Sequence, residues 1–210
     1  MSFDRIARHY ERLESIVFGE DLQRIRCSHM ETFLDAESIL LLGDGDGRFL
    51  KALLDSGSSA KIICVDSSQK MLKLAESVTK DLGGNVCFVF SKIEDFNLPD
   101  SFIPDVIGAH FFLDCFREDE ILVILSRISG WCKEHTKFVV SDFSIPEKRG
   151  LTRFINKLLT WKMIVFFRTF TGISAHELPK IGQLLSKMSY RCLKKETLRN
   201  GFISSWVWQL

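Results

Sequence analysis

Apolar residues along this chain alternate between two rhythms. Short, mostly apolar runs stand at Ile39–Leu42, Ile62–Val65, Val86–Phe90, Asp105–Ala109 and Phe138–Val140, each bounded by glycine, proline or polar residues. Runs of that kind predict strands buried on both faces, as in a parallel sheet. Between them the apolar positions recur at helical spacing. Phe49, Leu50, Leu53 and Leu54 give one inward face over Arg48–Asp55, closed by Gly57, and Glu118–Cys132 predicts another helix. Ahead of the first strand, residues 4–34 read as one or two helices: Ile6, Tyr10, Leu13, Ile16 and Val17 recur helically, Phe18-Gly19 marks a break, and Leu22, Ile25 and Met30 follow. At the other end, Leu178-Pro179 opens a helix over Ile181–Met188. Strands at Arg191–Leu198 and Phe202–Leu210 then flank the hairpin signal Asn200-Gly201. The pattern predicts an α/β fold, a mostly parallel sheet with helices on both faces and a C-terminal antiparallel hairpin.

Composition narrows the setting. The 210 residues are 46% hydrophobic, enough for a substantial core, and the net charge of +1 provides no global field to recruit nucleic acid. Six scattered cysteines form no C-x-x-C pair, a usage that suits a reducing compartment and points to neither a metal site nor a disulfide framework. The first residues, MSFDRIARHYERLE, lack the apolar core of a signal peptide, and no run reaches the length of a membrane span. The expected location is cytoplasmic.

Chemistry concentrates at ILLLGDGDGRFL, residues 39–50. Gly43, Gly45 and Gly47 follow the first strand and precede a helix, so the backbone can turn tightly and approach a ligand closely. The helix N-terminus predicts a site for an anionic group. The spacing is G-x-G-x-G; the third glycine of the dinucleotide fingerprint would fall on Arg48, which disfavours a nicotinamide or flavin dinucleotide. An acidic residue, Asp66, ends the second strand in VDSS. With these two features, the chain resembles the class I S-adenosylmethionine-dependent methyltransferases, and the terminal hairpin extends the resemblance over nearly its whole length.

That resemblance implies a seven-stranded Rossmann-like sheet and S-adenosylmethionine as cofactor, with no metal. It implies a cofactor set of Gly43, Asp44, Gly45, Asp46, Gly47, Asp66, Ser67, Ile93, Glu94 and His110. Asp66 would take the ribose hydroxyls, although a helix-capping role fits the same position and Ser67 or Ser68 could cap equally well. Two departures from the family pattern stand out. The carboxylate common two residues before the first glycine is Leu41 here, leaving Asp44 and Asp46 as candidates for the ammonium of the methionine moiety. The acid that holds the adenine edge falls on Lys92, followed by Ile93, with Glu94 and Asp95 beyond. For catalysis the candidates are His110 and Asp114, after the fourth strand, and Asp142, after the fifth; each also has a purely structural reading as a pocket-shaping or capping group. Residues 1–35 would form a helical lid in which Tyr10 and Arg26 touch ligand, or in which Tyr10 caps the core and Arg26 is solvated; 36–147 the cofactor core; 148–176 a helical insertion; and 177–210 the closing helix and hairpin.

Residues 148–172 carry Lys148, Arg149, Arg153, Lys157, Lys162 and Arg168, no acid, and a dense apolar set that includes Trp161, Phe166 and Phe167. Such a segment reads as a lid over an apolar substrate, a peripheral membrane contact, or a packed helix with solvated lysines. It is similar to the small-molecule branch that includes ubiquinone- and menaquinone-biosynthesis methyltransferases, which implies a small, apolar, quinone-like or lipid-like acceptor methylated at oxygen or carbon. Three functions compete: an active methyltransferase, a catalytically silent S-adenosylmethionine-binding protein, and a dinucleotide enzyme disfavoured by Arg48. No N-P-P-[YF] tetrapeptide follows the fourth strand, which with the low net charge argues against nucleic-acid methylation.

Overall fold

A computed structural model describes residues 18–144, 174–175 and 177–210. Tyr10 and the basic segment 148–172 fall outside these residues. Seven strands form one sheet in the order β3-β2-β1-β4-β5-β7-β6. They are β1 (Ser38–Leu42), β2 (Lys61–Asp66), β3 (Asn85–Phe90), β4 (Val106–His110), β5 (Lys137–Phe143), β6 (Arg191–Leu198) and β7 (Ile203–Gln209). The first five pair in parallel, and β7 inserts antiparallel between β5 and β6. The predicted Rossmann-like arrangement is therefore present.

The helices among the described residues are α1 (Asp21–Arg26), α2 (Met30–Leu34), α3 (Arg48–Asp55), α4 (Gln69–Thr79), α5 (Glu118–Trp131) and α6 (Ile181–Lys187). Alternate residues of β1 explain the layering. Ile39 and Leu41 join Phe33, Phe49, Leu50 and Leu53 on the face covered by α2 and α3. Leu40 and Leu42 join Ile121, Ile124 and Leu125 of α5 and Leu184 of α6 on the other. Side chains alternate across a strand, so a strand covered on both faces must be apolar at every position. Leu41, where the family pattern has an acid, is a fully buried part of the first core.

Outer strands differ from the expectation of uniformly apolar runs. β6 is exposed along nearly its whole length, and Cys192 on it and Cys87 on the opposite edge strand β3 are exposed, whereas Cys64 and Cys115 are buried. The β6–β7 turn spans Arg199–Gly201, with Asn200 left-handed at φ 55° as the Asn-Gly pair predicts. β5 extends beyond its predicted end, so Asp142 lies within the strand instead of following it. No helix among the described residues is long and apolar enough to cross a membrane.

Candidate functional site

Ligand sites in open parallel sheets lie beyond the carboxyl ends of the strands, where the order reverses. Here that place is beside β1, between β2 and β4. A cavity of about 220 Å³ occupies it, floored by the loop after β1 and walled by residues that follow β2, β3 and β4.

The loop is shaped by contacts the glycines permit. Gly47, left-handed at φ 81°, is the N-cap of α3; a Cβ there would stand 2.6 Å from the Ala75 Cα of α4. Its requirement is helix packing, and Gly47 is not among the residues that line the cavity. Gly45 is the opposite case: a Cβ would meet nothing within 4 Å, while the residue lines the cavity at φ 67°. Gly45 therefore borders open space in the cavity.

Three carboxylates border that space. Asp66 Oδ1 accepts from the Ser68 amide at 2.7 Å and its Oδ2 from the Gly45 amide at 3.2 Å, tying the ends of β1 and β2 together. Ser68, and not Asp66, caps α4 by accepting from the Met71 amide, which leaves Asp66 directed at the loop. Asp46 pairs with Arg48 at 3.0 Å. Asp44 Oδ2 accepts the Leu50 amide of α3 at 3.2 Å, and its Oδ1 has no hydrogen-bond partner among the described residues. Burial pushes the Asp44 carboxyl up to about 7; the Asp46 and Asp66 charges add to the rise, and the Leu50 amide and Arg26 oppose it. The helix start already has its own carboxylate, and the acidic loop repels a pyrophosphate.

Arg26, Ser67, Ile93, Glu94 and His110 also line the cavity, together with Lys92. Arg26 is buried, its guanidinium 4.9 Å from the Phe111 ring centroid and within 3.4 Å of Gln23 Oε1. The solvated alternative for this residue does not hold. Phe111 and Phe112 wall the cavity, and Phe111 is left-handed at φ 52°.

His110 is enclosed by Phe33 and Phe49, with Nδ1 2.8 Å from Ser141 Oγ. Burial, reinforced by Arg26 and His29, pushes its pKa down to about 3, so the ring is neutral and a weak base. Neither Asp114 nor Asp142 reaches the cavity wall. Asp142 is fully buried and accepts the amides of Phe143 at 2.9 Å and Asp114 at 3.2 Å, fastening β5 to the short 3₁₀ turn Leu113–Cys115. Burial and the Asp114 charge push its carboxyl well up. These two carboxylates support the loop that carries Phe112 and Cys115, and the structure gives them no contact with the cavity.

Met71, Ser91, Cys115, Glu120 and Ser174 line the cavity and were not identified from the sequence. Glu120 carried a usable signal: it is the third residue of α5, and it accepts the Arg117 amide at 2.8 Å. Ser174 had none; its side chain donates to Glu120 Oε2 and its amide to the Cys115 carbonyl at 3.2 Å, contacts only tertiary folding creates.

Residues 39–135 match the family model described as a methyltransferase domain. That span runs from β1 through α5 and contains the acidic glycine loop, Asp66 and the β4 wall. Over these residues the chain is similar to methyltransferase domains. Beyond the matched residues, the fold likeness extends further. The chain superposes on the mitomycin 7-O-methyltransferase with a TM-score of 0.69 at 16% identity, covering 100% of this chain and 60% of that one. A plantazolicin methyltransferase, solved with SAH, gives 0.64 at 14% identity, covering 98% and 93%. Among curated proteins, the carboxy-S-adenosyl-L-methionine synthase of Nautilia profundicola is 24% identical over 140 residues, 66% of this chain and 58% of that protein. The chain therefore spans about three fifths of the length of that relative and of the mitomycin enzyme.

Proposed function

We propose that the chain binds S-adenosylmethionine and transfers its methyl group to a small apolar acceptor, at oxygen or carbon. The observation that carries this reading is the acidic border of the cavity: Asp44, Asp46 and Asp66 surround the open space at Gly45. Carboxylates in that position suit a ligand carrying positive charge and a vicinal diol, and disfavour a dinucleotide pyrophosphate. When bound, the sulfonium supplies an already activated methyl group, so the protein's task is alignment and exclusion of water. Asp66 would hold the ribose hydroxyls, and Asp44 the ammonium that Leu41 cannot. Ile93 would pack on the adenine. Phe111, Phe112 and Phe116 give the cavity an apolar wall, which favours a greasy acceptor over a highly charged one. Relatives of this fold include a mitomycin 7-O-methyltransferase and a family 2 O-methyltransferase solved with apigenin, which supports a small molecule.

A second reading, binding without turnover, is favoured by His110 being a weak base and by Asp114 and Asp142 standing off the cavity. Calorimetric titration with S-adenosylmethionine, S-adenosylhomocysteine and oxidised nicotinamide dinucleotide, on wild type and Asp66→Ala, tests the cofactor. Binding of the adenosyl ligands, weakened at least tenfold in Asp66→Ala (~1.4 kcal/mol), is the expected result. No adenosyl binding in folded protein overturns it. Turnover against a panel of quinone-like and lipid-like phenols then separates the two readings.

A further inference from the structure

One buried nitrogen of a cavity-lining residue has no partner. His110 Nε2 is buried and makes no hydrogen bond, although the same ring is anchored through Nδ1 at 2.8 Å to Ser141 Oγ. Buried polar atoms in folded proteins are paired with few exceptions, so an unpaired one in a residue that lines a cavity calls for a partner that arrives from outside the fold.

The surroundings of Ser141 decide which kind of partner. Ser141 Oγ lies 2.8 Å from Ser205 Oγ and 3.4 Å from the Ile25 carbonyl oxygen, besides its contact with His110. A hydroxyl has one proton to give and two lone pairs to receive with. The Ile25 carbonyl can only accept, so the Ser141 proton goes there. Ser205 Oγ has no other hydrogen-bond partner among the described residues, so its proton goes to Ser141. The remaining lone pair of Ser141 faces Nδ1, which must therefore carry the imidazole proton and donate it. Only this assignment satisfies all three contacts at once. A neutral imidazole has a single N–H, so Nε2 is left with a bare lone pair.

We infer that Ser141 is a positioning residue: it holds His110 as the Nδ1–H tautomer, so that Nε2 meets the bound ligand as a hydrogen-bond acceptor for an ammonium or hydroxyl donor. Phe33 and Phe49, with ring centroids 5.9 and 4.3 Å from that of the imidazole, restrict its rotation, and Ser205 occupies the second lone pair of Ser141. Because burial keeps the ring neutral, Nε2 accepts the hydrogen bond without removing the proton. It orients a donor and does not act as a base. This inference rests on the proposal that the cavity takes an adenosyl ligand.

The test is nitrogen-detected NMR of the histidine side chains in the whole chain, with His110 assigned by the loss of its signals in His110→Gln. Free wild-type protein is expected to show protonated Nδ1 and imine Nε2; the reverse tautomer overturns the inference without reference to any ligand. Ser141→Ala removes the acceptor for Nδ1–H, and a mixture of tautomers with about tenfold weaker S-adenosylhomocysteine binding is expected; Ser141→Thr, which restores the hydroxyl, is expected to recover both. A Ser141→Ala protein with an unchanged tautomer refutes the positioning role. Titration arms identify the donor. A shift at Nε2 with S-adenosylhomocysteine but not with methylthioadenosine, which lacks the amino acid, supports the ammonium. A shift that appears only on adding phenol to the S-adenosylhomocysteine complex supports an acceptor hydroxyl. Silence at Nε2 in every arm, with calorimetry showing binding, overturns the ligand contact. No calorimetric binding counts against the cofactor proposal instead, and the tautomer of the free protein still reports on Ser141.

Discussion

Replacing Asp44 by asparagine separates the energetic cost of the acidic loop from its use. The side chain keeps an oxygen for the Leu50 amide but loses the charge that burial opposes. In the folded protein the carboxyl titrates at about 7 against an ordinary value of 3.8. A raised acid pKa means that the folded state holds a proton which the unfolded chain has released, so this group lowers stability progressively as pH rises from about 4 to about 7, and no further above that. The rise of about three units, at ~1.4 kcal/mol each, sets a ceiling of about 4 kcal/mol. Asp44 is half-buried and opens on the cavity, where water screens it, so a gain of about 1–3 kcal/mol is expected for Asp44→Asn at pH 8. Urea unfolding of both proteins at pH 4 and pH 8 measures it: the difference should be near zero at pH 4 and largest above pH 7. The same substitution should weaken S-adenosylmethionine binding at pH 8 at least tenfold (~1.4 kcal/mol), because the ammonium loses its counter-charge. An asparagine variant less stable than wild type at pH 8 would refute the electrostatic account. Unchanged cofactor affinity would refute the ammonium assignment.

Two further substitutions test the frame of the site. Gly47→Ala places a methyl group 2.6 Å from the Ala75 Cα at a left-handed φ, and a loss of about 2–4 kcal/mol is expected in thermal or urea unfolding; a loss under 1 kcal/mol would show that α3 and α4 shift apart freely. Asp142→Asn keeps an acceptor for only one of the two amides that Asp142 holds, because Phe143 uses Oδ1 and Asp114 uses Oδ2, so a loss of about 1–3 kcal/mol is expected at pH 8 for the single amide it strands. Asp142→Ala should instead cost about 1–3 kcal/mol for each amide it strands. Equal losses in both variants, measured by urea unfolding, would contradict the bracing role.

Local sequence determined much of this protein. Apolar runs gave the buried strands, because a strand covered on both faces has no position for a polar side chain. The 3.6-residue rhythm set α3 at Arg48–Asp55, since the Phe49, Leu50, Leu53 and Leu54 side chains share one face. Asp66 was identifiable because it terminates a strand next to a glycine turn, and the Asn200-Gly201 turn because asparagine and glycine tolerate left-handed backbone. Direction and partnership belonged to the tertiary structure. Asp142 and Asp114 look catalytic by their positions after strands, but the extra length of β5 turns Asp142 onto loop amides instead of the cavity. Gly47 looks like a ligand contact by spacing, yet α4 packs against it. Asp44 turns back onto the start of α3 and fills the site that an isolated helix N-terminus would offer an anion. Whether Ser141, Ser205 and Ile25 meet around His110 depends on β5, β7 and α1 converging from distant parts of the chain. Spacing along a chain records which face a residue occupies; which atoms share the proton of a hydroxyl is settled only when separate segments are brought within a few ångströms.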